Sequence, residues 1–225
     1  MGKFSVKTVF ANDWPLSLAG MEYIAGSISA IDLVGICRNS NELIESMSKI
    51  RCDVALIDYA MRGNGQMEGL ALLGYLRRTY PKVGIVTMVT HENPVIIRSI
   101  LERNVASVVS KFDDIGHIVT AIHACYGGGE YLSPLIKRSL EAVDGGGNKR
   151  ASKLSPREIE VIRLYLSGLS VSQIAERLKK GKQTISAQKV NAMKKLGVTS
   201  DVELIRCATY LDLIDEASST RFEVK

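Results

Sequence analysis

Apolar and polar positions change their period partway along the 225 residues. In the first half, short apolar runs read as buried strands: TVFA (8–11), DLVGIC (32–37), DVALID (53–58), VGIVTMV (83–89) and VASVVS (105–110). Between them apolar residues recur at spacings of three and four, as in Leu70, Leu73 and Leu76, or Ile96, Ile97, Ile100 and Leu101. Five such strand and helix units predict an α/β domain, a doubly wound five-stranded parallel sheet covered by helices on both faces.

From Lys153 onward the pattern is helical only. Ser155, Pro156 and Glu158 have the spacing of a capping box with proline in the first turn. Ile159, Ile162 and Leu166 then mark an apolar face, and Gly168 stops the helix. A short helix is predicted over 172–178, with Ile174, Ala175 and Leu178 inward. Gly181 breaks the chain, and a third helix follows over 183–196 with Ile185, Ala192 and Leu196 on one side. Two helices joined by a tight turn, the second one basic, describe a helix-turn-helix in a small all-α domain.

Glycines 145 to 147 and the polar, basic residues after them interrupt both patterns, so a linker is expected over 131–152, between domains at 1–130 and 153–215. Charge supports the division. Residues 1–148 hold 14 Lys and Arg against 15 Asp and Glu, whereas 149–195 hold 12 basic and 3 acidic side chains. A basic helical end predicts a polyanionic partner, double-stranded DNA for this motif.

No apolar run approaches the roughly 20 residues of a membrane span, and the first residues do not resemble a signal peptide, so no membrane partner and a cytoplasmic location are expected. The four cysteines and three histidines have no metal-ligand spacing and read as core or surface residues.

In open parallel sheets the site lies beyond the carboxyl ends of the strands. That selects Asn12 and Asp13 after the first strand, Asp58 ending the third, Val89 and Thr90 ending the fourth, and Lys111 ending the fifth. Each residue alone also suits a turn or solvated loop. Together, Asp13 and Asp58 can hold Mg²⁺, which needs only one or two carboxylates plus a phosphoryl oxygen. Either can also be a nucleophile toward phosphorus, with Lys111 balancing the charge. On the basic helix, Gln183, Ser186, Ala187 and Val190 face outward once Ile185 faces inward. Lys182, Lys189 and Lys194 flank them, suited to phosphates, while the smaller residues suit base edges.

The stretches LSPREIEVIRLYLSGLSVSQIAERL and TISAQKVNAMKKLGV resemble the NarL/FixJ response regulators, a phosphorylatable receiver followed by a LuxR-type helix-turn-helix, and most closely the capsule-synthesis regulators among them. The resemblance implies a flavodoxin-like receiver in which Asp58 accepts a phosphoryl group from a sensor histidine kinase or phosphotransfer protein. It also implies that Asp13 and the Ala60 carbonyl, with Asn12 beside them, hold Mg²⁺, and that Lys111 contacts the phosphoryl oxygens. At the other end it implies DNA binding through Lys182, Gln183, Thr184, Ser186, Ala187, Lys189, Val190 and Lys194, in a homodimer joined through residues 201–211.

Departures from the family pattern fall in the receiver. Asn12 stands where the family has an acid and Trp14 where it usually has histidine. Val89 replaces the hydroxyl residue of the fourth strand, and Val108 the usual aromatic of the fifth. Thr87 shares the face of Val89 but lies one pleat away, and Thr90 points to the other face. A phosphoryl group shifts a receiver only through contacts that differ between its two states. The departures therefore leave open a second control mode, in which the receiver pairs with itself or with another regulator without phosphorylation. An enzyme is not expected. A hydrolase of aspartyl phosphate would want an acid at Ala60, and no phosphate-binding glycine loop lies between a strand and a helix.

Overall fold

The computed structural model describes residues 5–61, 67–90, 92–105, 107–144 and 154–211. They form two compact units, divided between Ala142 and Val143.

In the first unit each expected strand forms within two residues of its predicted limits: β1 Val6–Ala11, β2 Ile31–Cys37, β3 Val54–Asp58, β4 Gly84–Val89 and β5 Ser107–Ser110. Helices α1 Pro15–Ser27, α2 Ser40–Lys49, α3 Gly69–Thr79, α4 Pro94–Leu101 and α5 Gly116–Tyr126 alternate with them. All pairings are parallel. The order is β2-β1-β3-β4-β5, with a short strand beyond β5, so the chain reverses its direction of winding between β1 and β3. Phe10, Leu56, Val86 and Met88 pack on Met21 and Ala25 of α1 and on Ala121 and Ile122 of α5. Burying each large side chain contributes roughly 1.5–3 kcal/mol. A Cβ at Gly84 would lie 2.7 Å from Cys125 Sγ on α5, so a larger residue there would force a shift.

The sheet has six strands, one more than the sequence predicts. Its sixth, β6, is Tyr131–Leu132, paired with β5 through Ser107 and Val108, and helix α6 follows at Pro134–Asp144. Residues 131–142, within the span expected as linker, belong to the first unit as β6 and most of α6. Ser133 and Ile136 are fully buried, the Ser133 hydroxyl accepts the Ser110 N–H at 2.9 Å, and Asp113 Oδ2 accepts the Leu135 N–H at 3.1 Å. A two-residue strand is too short to show an alternating pattern. The rest of the expected linker, 145–152, lies outside the described residues.

The second unit is α7 Pro156–Leu166, α8 Val171–Arg177, α9 Lys182–Leu196 and α10 Asp201–Tyr210. The capping box at Ser155 and Glu158 forms in both directions, and Ser170 with Gln173 makes a second one. Val161, Ile174, Ala175 and Ile185 form the core. Along α7 the buried residues are Glu158, Val161 and Ile162, not the expected line through Ile159 and Leu166. Glu158 can lie inward because its carboxylate accepts from Ser155 N at 2.7 Å and pairs with Lys195 Nζ at 2.8 Å. In the turn before α9, Lys179 takes the left-handed conformation at φ 51°, while Gly181 caps α9 at φ −68°.

The cysteines are free thiols. Burial pushes the Cys37 thiol up to about 11 and the Cys207 thiol up to about 12, so neither is a reactive thiolate near neutral pH. No described helix is long and apolar enough to cross a membrane.

Candidate functional site

Where winding reverses, β1 and β3 end side by side. Ala11 pairs with Ile57, so Asn12 and Asp58 are level on neighbouring strands. Asp58 is 2% exposed and closes β3. Its Oδ2 meets Lys111 Nζ at 2.5 Å, and its Oδ1 accepts the Ala60 N–H at 3.1 Å. Lys111 is held from the other side, since its own N–H donates to the Val89 carbonyl at 2.9 Å. A buried carboxylate is tolerated here because it is paired and hydrogen-bonded, and removing one member of such a pair costs about 3–5 kcal/mol.

Asp13 follows Asn12 at the end of β1 and is partly exposed, and Ala60 lies two residues beyond Asp58, its N–H bonded to that carboxylate. Among the described residues no group of three His, Cys, Asp or Glu side chains forms a metal cluster. Two carboxylates and a backbone carbonyl are still an adequate oxygen set for Mg²⁺, which keeps several waters. Asn12, expected beside the ion, is buried at the end of β1. Its Oδ1 accepts the Trp14 N–H at 2.8 Å, and its Nδ2 is buried without a hydrogen-bond partner.

Val89 and Val108 are buried. Thr87, opposite Ile57 and Val108 on the adjoining strands, keeps a buried hydroxyl without a partner. The loops after β4 and β5 are tied together and to α6. Ser110 Oγ donates to the Glu92 carboxylate, and the Ser139 hydroxyl donates to the Glu92 carbonyl. Nothing in the amphipathic run LIKRSLEAVD identifies Glu92 as the acceptor for Ser139, because it lies 47 residues earlier in the chain.

On α9, Ile185 is buried and Lys182, Gln183, Thr184, Ser186, Ala187, Val190 and Lys194 are exposed, as expected for an outward face. Lys189 is not part of it. Its Nζ lies 3.6 Å from the centroid of the Tyr165 ring and 2.6 Å from Asp201 Oδ1, with the side chain 15% exposed. Its charge is thus spent within the unit, binding α9 to α7 and α10.

A parallel sheet with Asp13, Asp58 and Lys111 gathered on one rim, joined to a helical unit containing a basic second helix, defines a response regulator. Residues 9–123 match the response regulator receiver domain, and residues 152–208 match the bacterial regulatory proteins of the luxR family, so the chain belongs to the luxR-type response regulators.

Within that class it is similar to the transcriptional regulatory protein RcsB. The Escherichia coli K12 protein is 32% identical over 203 residues, covering 89% of this chain and 93% of that one. The response regulator GacA of Pseudomonas syringae is 24% identical over 216 residues, covering 95% of this chain and 100% of that one. A structure of an RcsB–DNA complex has a TM-score of 0.79 at 29% identity, over 92% of this chain and 99% of that one. Salmonella enterica serovar Typhimurium RcsB bound to promoter P1flhDC in the presence of the phosphomimetic BeF3⁻ has a TM-score of 0.83 at 29% identity, with the same coverage. A third structure contains two RcsB dimers bound to two parallel DNAs, with a TM-score of 0.80 at 30% identity, over 94% of this chain and 100% of that one.

Proposed function

We propose that this protein is a cytoplasmic transcription regulator that binds double-stranded DNA as a homodimer through its C-terminal unit and accepts a phosphoryl group on Asp58. The observation that carries the DNA-binding part is the exposed face of α9, where Lys182 and Lys194 flank Gln183, Thr184, Ser186, Ala187 and Val190. Lysines at the two ends neutralise phosphates, and the residues between them are small enough to approach base edges. In one RcsB structure two dimers are bound to two parallel DNAs, and binding as a dimer suits this chain. An inverted repeat with half-sites about one helical turn apart is the matching DNA.

At Asp58, a carboxylate oxygen would displace the histidine nitrogen of a sensor kinase or phosphotransfer protein, forming an O–P bond as the N–P bond breaks. Lys111 would move from the carboxylate to the new phosphoryl oxygens. Asp13, Asp58 and the Ala60 carbonyl would hold Mg²⁺, which screens the charge of the incoming phosphoryl group.

A second reading rests on Val89 and Val108. With neither a hydroxyl nor an aromatic at these positions, phosphorylation has little differential contact through which to switch the receiver. The receiver would then act as a pairing module, with itself or with another regulator. One experiment separates the readings. The purified chain and Asp58→Ala are treated with Mg²⁺ and a small phosphodonor, then compared for mass, dimerisation and affinity for an inverted repeat against shuffled DNA. Gain of one phosphoryl mass, tighter dimers and tighter specific binding in the wild type alone support phosphorylation control. Specific DNA binding with no Asp58-dependent change supports the pairing module, and no preference for the repeat overturns DNA reading by α9.

A further inference from the structure

Asn12 is 1% exposed and its amide is held in one orientation. Its Oδ1 accepts the Trp14 N–H at 2.8 Å, and its backbone N–H donates to the Cys37 carbonyl at 3.0 Å. The group left over is Nδ2, a buried donor with no partner. A buried donor left unpaired is costly, so it points to a ligand that completes it. Phe10 and Leu56 belong to the same core face, and two residues further along each strand the alternation brings Asn12 and Asp58 to that face together. Their backbones are neighbours across one strand spacing of about 4.8 Å. An N–H donor repels a cation and attracts an anionic oxygen.

The geometry points to Asn12 as a phosphoryl-binding residue: its Nδ2 donates to an oxygen of the group carried by Asp58 and removes a negative charge from the Mg²⁺ side of the pocket. This rests on the reading of Asp58 as the acceptor. Lys111, now on the Asp58 carboxylate, would satisfy one part of a phosphoryl group, and the Val89 side chain at the end of β4 has no polar atom to offer. Asn12 supplies a further donor from the β1 side. The consequence is an acceptor site that depends less on the metal than one with a carboxylate at position 12. With Asn12 the side-chain charges of Asp13, Asp58 and Lys111 leave one net negative charge, and with an acid there they would leave two.

The test uses the full chain and Trp14, its single tryptophan, whose N–H is already bonded to Asn12. Wild type, Asn12→Asp, Asn12→Ala and Asp58→Ala are titrated with Mg²⁺ by Trp14 emission and by calorimetry. Each is then titrated with beryllofluoride at several Mg²⁺ concentrations, with circular dichroism melts confirming folding.

Asn12→Asp keeps the acceptor for Trp14 and changes only the donor and the charge. It is expected to bind Mg²⁺ about tenfold more tightly than wild type. Its beryllofluoride affinity is expected to follow Mg²⁺ more steeply. Asn12→Ala is expected to keep the wild-type Mg²⁺ affinity and to lose about fivefold in beryllofluoride affinity at saturating Mg²⁺. If the wild type responds to beryllofluoride, Asp58→Ala does not, and Asn12→Asp matches the wild type in both titrations, the role of Asn12 is overturned and Asp58 stands. If wild type and every variant are indistinguishable from Asp58→Ala, the acceptor assignment falls and the role of Asn12 falls with it.

Discussion

The ammonium of Lys189 lies 3.6 Å above the ring of Tyr165, whose hydroxyl donates at 2.8 Å to the same carboxylate, Asp201, that pairs with Lys189. Burial pulls the ammonium toward the neutral form, but the hydrogen bonds to Asp201 and Tyr165 outweigh it and hold its pKa above the ordinary lysine value. Lys189→Met is therefore expected to lower the stability of the helical unit by about 1 kcal/mol, Asp201 being half exposed and its pairing partly screened. The salt dependence of DNA affinity should stay at its wild-type slope. Lys182→Ala and Lys194→Ala are expected to do the reverse, leaving the melting temperature unchanged and reducing the slope of log K against log salt by about one each. Melting curves and anisotropy titrations at several salt concentrations check both, and a reduced slope for Lys189→Met would return that side chain to the DNA.

A second ion pair gives the same unit a pH dependence. Burial raises the Glu158 pKa, but the hydrogen bonds from Lys195 and Ser155 outweigh it and hold the carboxyl below its usual range. A carboxyl lowered on folding stabilises fully above its unfolded value, about 4.3 for glutamate, and the stabilisation is lost as pH falls through the folded value. Glu158→Gln keeps the capping geometry and removes the charge. The variant is expected to be about 1 kcal/mol less stable than wild type at pH 6–7, with the gap closing below about pH 4. Thermal melts of both proteins across pH 3–7 measure it, and a gap independent of pH would mean that the pair is not what holds Glu158.

Both ion pairs show where reading the chain alone stops. Strand ends, caps and the inward position of Ile185 are local, set by residues within a turn or a pleat, and the expected β1, β3, β4 and α9 form close to their predicted limits. The gathering of Asn12, Asp13, Asp58 and Lys111 on one rim is also legible, because parallel winding brings successive strand ends to one edge. Lys189 is different. Its sequence neighbours mark it as one more lysine of a basic helix, and only the packing of α7 and α10 supplies Tyr165 and Asp201 from 24 positions before and 12 after it. The burial of the Asn12 amide is equally invisible, because it depends on β2 and β3 packing on either side of β1. In β6 two residues carry too little pattern to outweigh the glycines before them.

Thr87 is fully buried and its hydroxyl has no partner. Replacing it by valine keeps the shape and removes an unsatisfied polar atom, so Thr87→Val is expected to stabilise the receiver by about 1 kcal/mol. If Thr87 instead takes over the missing hydroxyl at Val89, Thr87→Val would abolish the beryllofluoride-dependent change in DNA affinity. Thr87 lies roughly 6.6 Å along the strand from Val89, two residues away, so that response is expected to survive. Chemical denaturation and DNA titrations with and without beryllofluoride read the two effects separately.

The edge formed by β6 and α6 follows the rim of Asp58 and Lys111 in the chain. Two residues after Lys111, the Asp113 carboxylate accepts the N–H of Leu135 in the first turn of α6, where the helix dipole favours a negative charge. One residue before Lys111, the Ser110 N–H donates to the buried Ser133 hydroxyl. These two contacts flank Lys111 in sequence, so a backbone shift at Lys111 on phosphorylation is expected to reach the start of α6 through them. Asp113→Ala removes the first, and Ser133→Ala leaves the Ser110 N–H buried without an acceptor, at a cost of about 1–3 kcal/mol. Both variants are expected to speed amide hydrogen exchange across 134–142 by about fivefold or more, while 54–58 in the central strand exchanges at its wild-type rate. In the wild type, beryllofluoride is expected to change exchange in the same segment, and in Asp113→Ala that change should be smaller. Equal beryllofluoride effects in the two proteins would show that α6 does not respond to Lys111 through this contact.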